Sequence, residues 1–231
     1  MLLRIAAQSE LHGSRPKRLG TTAYTVLGLL ALRDWTTYEL AMQMERGIGR
    51  MWSAAPSMVY EEPKHLVARG YATVRRERTG KRPKAVYAIT DAGRDALAEW
   101  LAEPGAGPQL QFEGLLKILF ADGGSRRDLR ATLAELERGA QESLAQAQAR
   151  ASAYRDGDYM DGTVSVDDRA RLIVLTVTFL AEFYALVADW SAWASERVDG
   201  WSGPSQLSSE RDTFGAIASG RRVVPRQNAR R

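Results

Sequence analysis

The fold of the N-terminal half is decided by residues 56–90, PSMVYEEPKHLVARGYATVRRERTGKRPKAVYAIT. Early in this stretch, Val59, Pro63 and Leu66 recur at helical spacing and predict a helix with one inward face. The remainder alternates between two faces on either side of a turn at residues 79–83 that is rich in glycine, proline and cations. A helix that leads into a hairpin with a basic tip predicts the second half of a winged helix-turn-helix.

The predicted helix has an outward face with groups that can read DNA. Ser57, Tyr60 and Lys64, with His65 beside them, can contact phosphates or base edges in a major groove. Glu61 adds a negative charge to this face, although a carboxylate can accept a hydrogen bond from a cytosine amino group. Pro63 removes an intrahelical hydrogen bond and predicts a bend.

The hairpin concentrates positive charge at its tip. Between residues 75 and 84, Glu77 alone offsets six cations, which are Arg75, Arg76, Arg78, Lys81, Arg82 and Lys84. Such a tip is either simply solvated or lies along a phosphate backbone, where Lys and Arg release counterions. We expect the second arrangement, with DNA contacts from Arg78, Lys81, Arg82 and Lys84.

Three more helices are predicted around this pair. The first, Thr21 to Leu32, is almost wholly apolar and is expected in the core, with Thr21 or Thr22 as its cap. The second spans Tyr38 to Arg46, capped by Thr36 or Thr37. The third runs from Thr90, its cap, to Ala102.

Spaced motifs in this region resemble PadR-family transcriptional regulators. The matching positions are Tyr24, Leu27 to Leu32, Tyr38-Glu39-Leu40, Trp52-Ser53, Tyr60, Lys64, Leu66, Gly70, Lys84, Val86-Tyr87, Ile89-Thr90, Ala92-Gly93-Arg94, Leu97 and Trp100-Leu101. The resemblance covers residues 21–104. The remainder is similar in general character to the subtype with an extended helical C-terminal domain. One departure is that Glu61, and not proline, follows Tyr60, while Pro63 holds the apolar position.

The resemblance implies a DNA-binding transcriptional regulator that acts as a repressor. A dimer would place two recognition helices about 34–36 Å apart, which matches an inverted-repeat operator in double-stranded DNA. The alternative is a winged-helix adaptor that binds proteins without reading DNA, since Glu61 and Glu62 weaken the DNA face.

Composition excludes several other classes. The chain has 231 residues, no cysteine and two distant histidines, His12 and His65, so thiolate metal sites and a histidine-based metal site or triad are not expected. No glycine-rich phosphate loop or nucleophile–base set is present, and we expect no cofactor and no enzymatic activity. The most apolar stretch, Leu172 to Ala181, is half of the roughly 20 residues that a membrane span needs. The sequence therefore predicts a cytoplasmic protein without a membrane partner.

Four segments are predicted. Residues 1–20 are a flexible basic arm, either a disordered leader or a DNA-contacting arm. Residues 21–104 form the winged helix-turn-helix domain. Residues 105–198 form an all-helical dimerisation and effector domain. The net charge of residues 105–197 is −4. Residues 199–231 are a disordered basic tail without a sustained period.

The helical domain predicts a homodimer. One helix is predicted from Gln111 to Ala121, Ser125 caps a long helix from Arg126 to about Arg155, and Val166 to Val198 form a third. This last helix has two apolar seams, and two other helices cannot easily cover both, so the second seam predicts a dimer interface. The alternative is a three-helix core with exposed aromatic residues.

Three tryptophans offer a place for the small aromatic effector that the resemblance implies. Trp190 and Trp193 lie on the two-faced helix, and Trp100 lies near the end of the DNA domain, just before a predicted linker at residues 104–108. Indole rings form flat apolar walls that suit planar aromatic guests. The plainer interpretation is that all three pack the core or the dimer interface.

Overall fold

The computed structural model describes residues 18–46, 48–52, 56–79, 82–157, 164–165, 167–202 and 207–225, and the chain divides into two compact units, Met1–Gly107 and Pro108–Arg231. The elements of the first unit are α1 (Thr21–Leu30), β1 (Trp35–Thr36), α2 (Thr37–Arg46), α3 (Pro56–Ala68), β2 (Ala72–Thr79), β3 (Arg82–Ile89) and α4 (Asp91–Ala102). Those of the second are α5 (Glu113–Leu119), α6 (Arg126–Arg155), α7 (Ala170–Asp199) and α8 (Leu207–Ala218). The predicted fold class, mainly helical with a winged helix-turn-helix, is confirmed.

The core of the first unit is built on α1. Val26, Leu27 and Leu30 are almost fully buried, as the apolar sequence of this helix predicts, and Leu40 and Leu66 pack in from α2 and α3. Removal of this much apolar surface from water is the main driving force for folding. The three-stranded antiparallel sheet, in the order β1–β3–β2, lies beside the helices.

The turn between α1 and α2 is fixed by a small polar network. The Trp35 indole is buried and donates to the Leu29 carbonyl over 2.7 Å, while the Arg33 guanidinium lies 3.4 Å above the Trp35 ring. Thr36 and Glu39 form reciprocal bonds: the Glu39 amide donates to the Thr36 hydroxyl and the Glu39 carboxylate accepts from the Thr36 amide. This capping box starts α2 and confirms Thr36 as its cap.

The pKa of Glu39 reflects the same network. Burial by itself would raise this pKa, but hydrogen bonds from the Thr36 hydroxyl, the Thr36 amide and Arg33 outweigh it and lower the pKa below its usual range. Glu39 is therefore ionised at neutral pH.

The start and end of the hairpin are clamped together. Gly70, at φ 77°, ends α3 in a left-handed conformation that favours glycine, with Tyr71 N–H donating to the Leu66 carbonyl over 2.9 Å. The Tyr71 carbonyl accepts from Thr90 N–H at 3.1 Å. The Thr90 hydroxyl accepts from Gly93 N–H and caps α4, as predicted. The strands therefore leave and re-enter the domain at one place.

In the second unit, α6 and α7 pack side by side in opposite directions. Arg126, near the start of α6, donates to the carbonyls of Asp199 (2.7 Å) and Trp201 (3.0 Å) and to that of Val198, at the end of α7. Ser125 and Asp128 form a capping box at the start of α6, which confirms the predicted cap and the predicted bounds of this helix. Leu129, Leu133 and Val198 form the buried cluster between the helices.

The prediction of disorder over residues 199–231 is wrong for residues 207–218, which form α8. Leu207, Phe214 and Ile217 share one face of this helix, and Glu210 forms an ion pair with Arg197 of α7. These three apolar residues are too sparse to give a sustained period. The ion pair with α7 depends on tertiary structure.

The apolar helix α7 is buried on one side only. Ile173, Ala188, Ser191 and Val198 are buried, whereas a set on the other side is exposed, consisting of Leu172, Val174, Leu175, Phe179, Phe183 and Leu186. By length and composition alone, the stretch Asp167–Asp199 could also cross a membrane.

Candidate nucleic-acid interface

Helix α3 presents two chemically distinct faces. Val59, Pro63 and Leu66 are buried against the domain, as the sequence predicts. The side chains predicted to face outwards are exposed, as is His65 beside them; they are Ser57, Tyr60, Glu61, Lys64 and Ala68. The burial of these side chains confirms which face of α3 points inward and which points outward. Contact of the outer face with DNA remains a prediction.

The charges on the outer face are arranged in pairs. Lys64 Nζ lies 2.7 Å from Glu61 Oε1, and His65 Nδ1 lies 3.9 Å from a Glu62 carboxylate oxygen. The hydrogen bond from Lys64 lowers the pKa of Glu61, and the same bond raises the pKa of Lys64. Both groups are therefore charged at neutral pH. They present a carboxylate acceptor beside an ammonium donor, a combination that can complement the donors and acceptors of a base pair.

Two exposed residues of the winged domain, one of them on α3, were not among the predicted DNA contacts. Met58 is 46% exposed on α3, one residue before the buried Val59, and Tyr38 is 68% exposed at the start of α2. An apolar side chain in the first half of a recognition helix can contact a thymine methyl group. The signal for Met58 was its position between Ser57 and Val59, outside the apolar period.

The wing, which is the hairpin formed by β2 and β3, has fewer cations available for DNA contact than its sequence suggests. Arg75 is held in ion pairs by Asp34 and, over 2.7 Å, by Glu77, so Asp34 also offsets the positive charge of the hairpin. Arg76 and Lys84 are exposed on β2 and β3, and Glu77 is the cross-strand partner of Lys84. Arg78 and Arg82 lie at the distal ends of the paired strands. Lys81 lies outside the described residues.

The three tryptophans proposed for an aromatic ligand each have an intramolecular neighbour. The Trp100 ring stacks on Tyr24 in the first unit, with centroids 4.9 Å apart and planes 7° apart. In the second unit, Trp190 meets Phe112 edge-on at 6.5 Å, and the Arg197 guanidinium lies 5.3 Å from the Trp193 ring centre. These contacts agree with a packing role, and a ligand-binding role stays a prediction.

Metal chemistry has little basis in the described residues. No group of three or more His, Asp or Glu side chains within the described ranges is placed to hold a metal ion.

A groove of about 460 Å³ between α5 and α6 is lined mainly by apolar side chains, among them Leu116, Phe120 and Leu129, and by none of the three tryptophans.

Comparison with known proteins gives a family match that lies within the first unit of the chain. Residues 26–99 match the model of the transcriptional regulator PadR-like family. The negative transcriptional regulator PadR of Bacillus subtilis is 33% identical over 107 residues, which are 46% of this chain and 59% of that protein. The alignment thus spans less than two thirds of that curated relative.

Solved structures share the fold over a larger part of the chain. The B. subtilis PadR structure in complex with operator DNA superposes with a TM-score of 0.62 at 24% identity, covering 76% of this chain and 98% of that one. The PadR structure in complex with p-coumaric acid gives 0.60 at 22% identity, covering 79% and 99%. The Vibrio cholerae virulence activator AphA gives 0.60 at 25% identity, covering 79% and 100%.

Proposed function

We propose that this chain, whose residues 26–99 match the model of the PadR-like family of transcriptional regulators, is a dimeric, sequence-specific DNA-binding repressor of that family, released by a small aromatic molecule. The observation that carries the proposal is the exposed polar face of α3 beside the basic hairpin, within one winged domain. We assign the chain no catalytic activity and place it in the cytoplasm. Its second unit corresponds to the subtype with an extended helical C-terminal domain.

DNA contact divides between the two elements. Helix α3 enters the major groove, where Ser57, Tyr60, Lys64 and His65 reach base edges and phosphates. The wing lies along the backbone, where Lys and Arg contact phosphate without reading sequence. Support comes from B. subtilis PadR, which is 33% identical over 107 residues and whose structure with operator DNA has a similar fold.

The homodimer forms through the exposed apolar side of α7. Leu175 and Phe179 are 68% and 60% exposed, and an apolar strip of this length on a soluble protein marks an interface with a partner. Two copies related by a two-fold axis would present two α3 helices to an inverted repeat. Sedimentation at micromolar concentration should give twice the mass of 25.5 kDa, and a monomer at that concentration would refute this part.

The effector is a planar aromatic compound. Support comes from the complex of B. subtilis PadR with p-coumaric acid. Trp100, Trp190 and Trp193 are the residues we propose for its binding, because indole rings stack well on planar guests. Rearrangement of these rings on binding would be transmitted to the dimer geometry and hence to the spacing of the α3 helices.

The test is a salt titration of duplex binding, with DNA from the upstream region of the protein's own gene. Contact with several phosphates predicts that the logarithm of the affinity falls steeply with that of the salt concentration, by about 0.9 per phosphate neutralised. Lys84→Ala should reduce this slope. Lys117→Ala is the matched control, because it removes the same charge from the other unit, where Lys117 pairs with Glu113. Lack of binding, or binding independent of salt, refutes the DNA-binding function.

A protein-interaction adaptor is the second candidate. The observation that favours it is the pairing of Lys64 with Glu61, which leaves the outer face of α3 less positive than its sequence suggests. An adaptor would bind no duplex under the low-salt conditions of the same titration.

A further inference from the structure

The helix α8 has an apolar face that no described part of its own chain covers. Leu207, Phe214 and Ile217 are 69%, 58% and 58% exposed, and their spacing of seven and three residues places them on one side of the helix. Covering them would remove roughly 350 Å² of apolar surface from water. Such a helix is ordinarily found against a partner surface.

The position of α8 is set by the end of α7. Arg126 binds the carbonyls of Val198, Asp199 and Trp201, and Arg130 pairs with Asp199 over 2.6 Å, so the direction in which the chain leaves α7 is fixed. The Arg197–Glu210 ion pair then holds the first turn of α8 beside the last turns of α7.

The surface that α8 could cover lies at the other end of α7. The exposed strip there consists of Leu172, Val174, Leu175 and Phe179, each between 56% and 68% exposed. Leu175 is about 33 Å along the helix axis from Arg197, whereas Ile217 is only about 10 Å from Glu210 along α8. While the ion pair holds, α8 therefore cannot reach the strip of its own chain.

In a second copy of the chain, the exposed strip of α7 can lie within reach of α8. If two α7 helices cross antiparallel with Leu186, 48% exposed, at the centre, Arg197 of each copy lies opposite Leu175 of the other. We propose that α8 packs Leu207, Phe214 and Ile217 onto the N-terminal half of α7 in a second copy, as a reciprocal clasp. This inference rests on the homodimer of the proposed function and divides the exposed apolar side of α7 in two: the part around Leu186 meets α7 of the second copy, and the part around Leu175 and Phe179 meets its α8.

Two further observations favour a second copy over a membrane surface. Helix α8 has two anions, Glu210 and Asp212, against one cation, Arg211, whereas helices that lie on membranes carry a polar face rich in Lys and Arg. The facing segment of α7, residues 170–180, carries a single charge, that of Arg171, and it is positive. The area of α8 is small beside the roughly 1,600 Å² of a standard interface, so the clasp strengthens the dimer and does not create it.

Cysteine cross-linking tests the clasp directly, because the chain contains no cysteine. Full-length Ile217→Cys protein is mixed with full-length Leu175→Cys protein and oxidised. We expect a disulfide-linked pair containing one chain of each kind. The matched control is Ser209→Cys with Leu175→Cys, since Ser209 is exposed on another side of α8. A link of equal yield in the control overturns the proposal, as does a double variant that closes its disulfide within one chain at high dilution.

Dimer dissociation supplies the second measurement. Phe214→Ala with Ile217→Ala, and separately a chain ending at Ser202, should each weaken the dimer at least tenfold and still dimerise at high concentration. An unchanged dissociation constant and no specific cross-link refute the clasp and leave the homodimer standing. A wild-type chain that stays monomeric refutes the clasp and the homodimer together.

Discussion

Replacement of Gly93 by alanine should destabilise the winged domain, against the usual effect of this change in a helix. An alanine normally stabilises a helix by about 1 kcal/mol relative to glycine. At Gly93 the added Cβ would lie 2.1 Å from the Tyr71 carbonyl oxygen and 2.9 Å from Cγ1 of Ile89. The carbonyl cannot turn away freely, because it accepts the Thr90 amide. Overpacking in a core costs about 1–3 kcal/mol, and disturbance of that hydrogen bond costs about 1 kcal/mol more.

The expected net loss for Gly93→Ala is about 1–3 kcal/mol once the helix preference for alanine is subtracted, which is a large fraction of the stability of an ordinary domain. Gly139→Ala is the matched control, since a Cβ at Gly139 in α6 would meet no atom within 4 Å and should stabilise its own unit by up to about 1 kcal/mol. Pulsed hydrogen exchange during urea unfolding reports each unit separately. A Gly93→Ala chain as stable as the wild type in the winged domain would refute the reasoning.

Three other outcomes are expected. Lys84→Ala, and likewise Arg82→Ala, should weaken binding to all duplexes alike, whereas Lys64→Ala should change the preference at particular base pairs; competition binding with a panel of single-base operator variants distinguishes them. The lowered pKa of Glu39 stabilises the folded state above the unfolded value near 4.5, and this contribution is lost as pH falls through the folded pKa. Glu39→Gln should therefore flatten the acid limb of the winged domain's unfolding free energy, and an unchanged limb would contradict this. Planar aromatics should quench tryptophan fluorescence and loosen the operator complex over one concentration range, so quenching without loss of DNA affinity would remove the regulatory role.

Features encoded by neighbouring residues could be predicted from the sequence. The start of α6 follows from the Ser125–Asp128 capping box and the start of α4 from Thr90, because each cap involves residues three positions apart. The inner and outer faces of α3 follow from periodicity alone. Such signals need no knowledge of the rest of the chain.

Features that depend on distant residues could not be predicted. Arg75 reads as a free wing cation until Asp34, 41 positions away, is found beside it. Neither Thr21 nor Thr22 caps α1: Gly20 occupies the N-cap position without a side-chain cap, and the buried Thr22 hydroxyl accepts from the Trp52 indole over 3.1 Å. Because nearly every residue of α1 is apolar, its sequence does not show which face of the helix points away from the core.

The clamp at the base of the hairpin allows the length of the wing to change without altering the rest of the domain. Tyr71 and Thr90 join the two strands where they leave the helices, and the register Ala72↔Ile89 is set from that end. Residues could therefore be inserted or deleted in matched pairs beyond Arg76 and Ala85, cross-strand partners partway along the hairpin, without altering α3 or α4. Wing length is thus a parameter that evolution, or an engineer, can adjust to span more or less of the DNA backbone while the base-reading helix is unchanged.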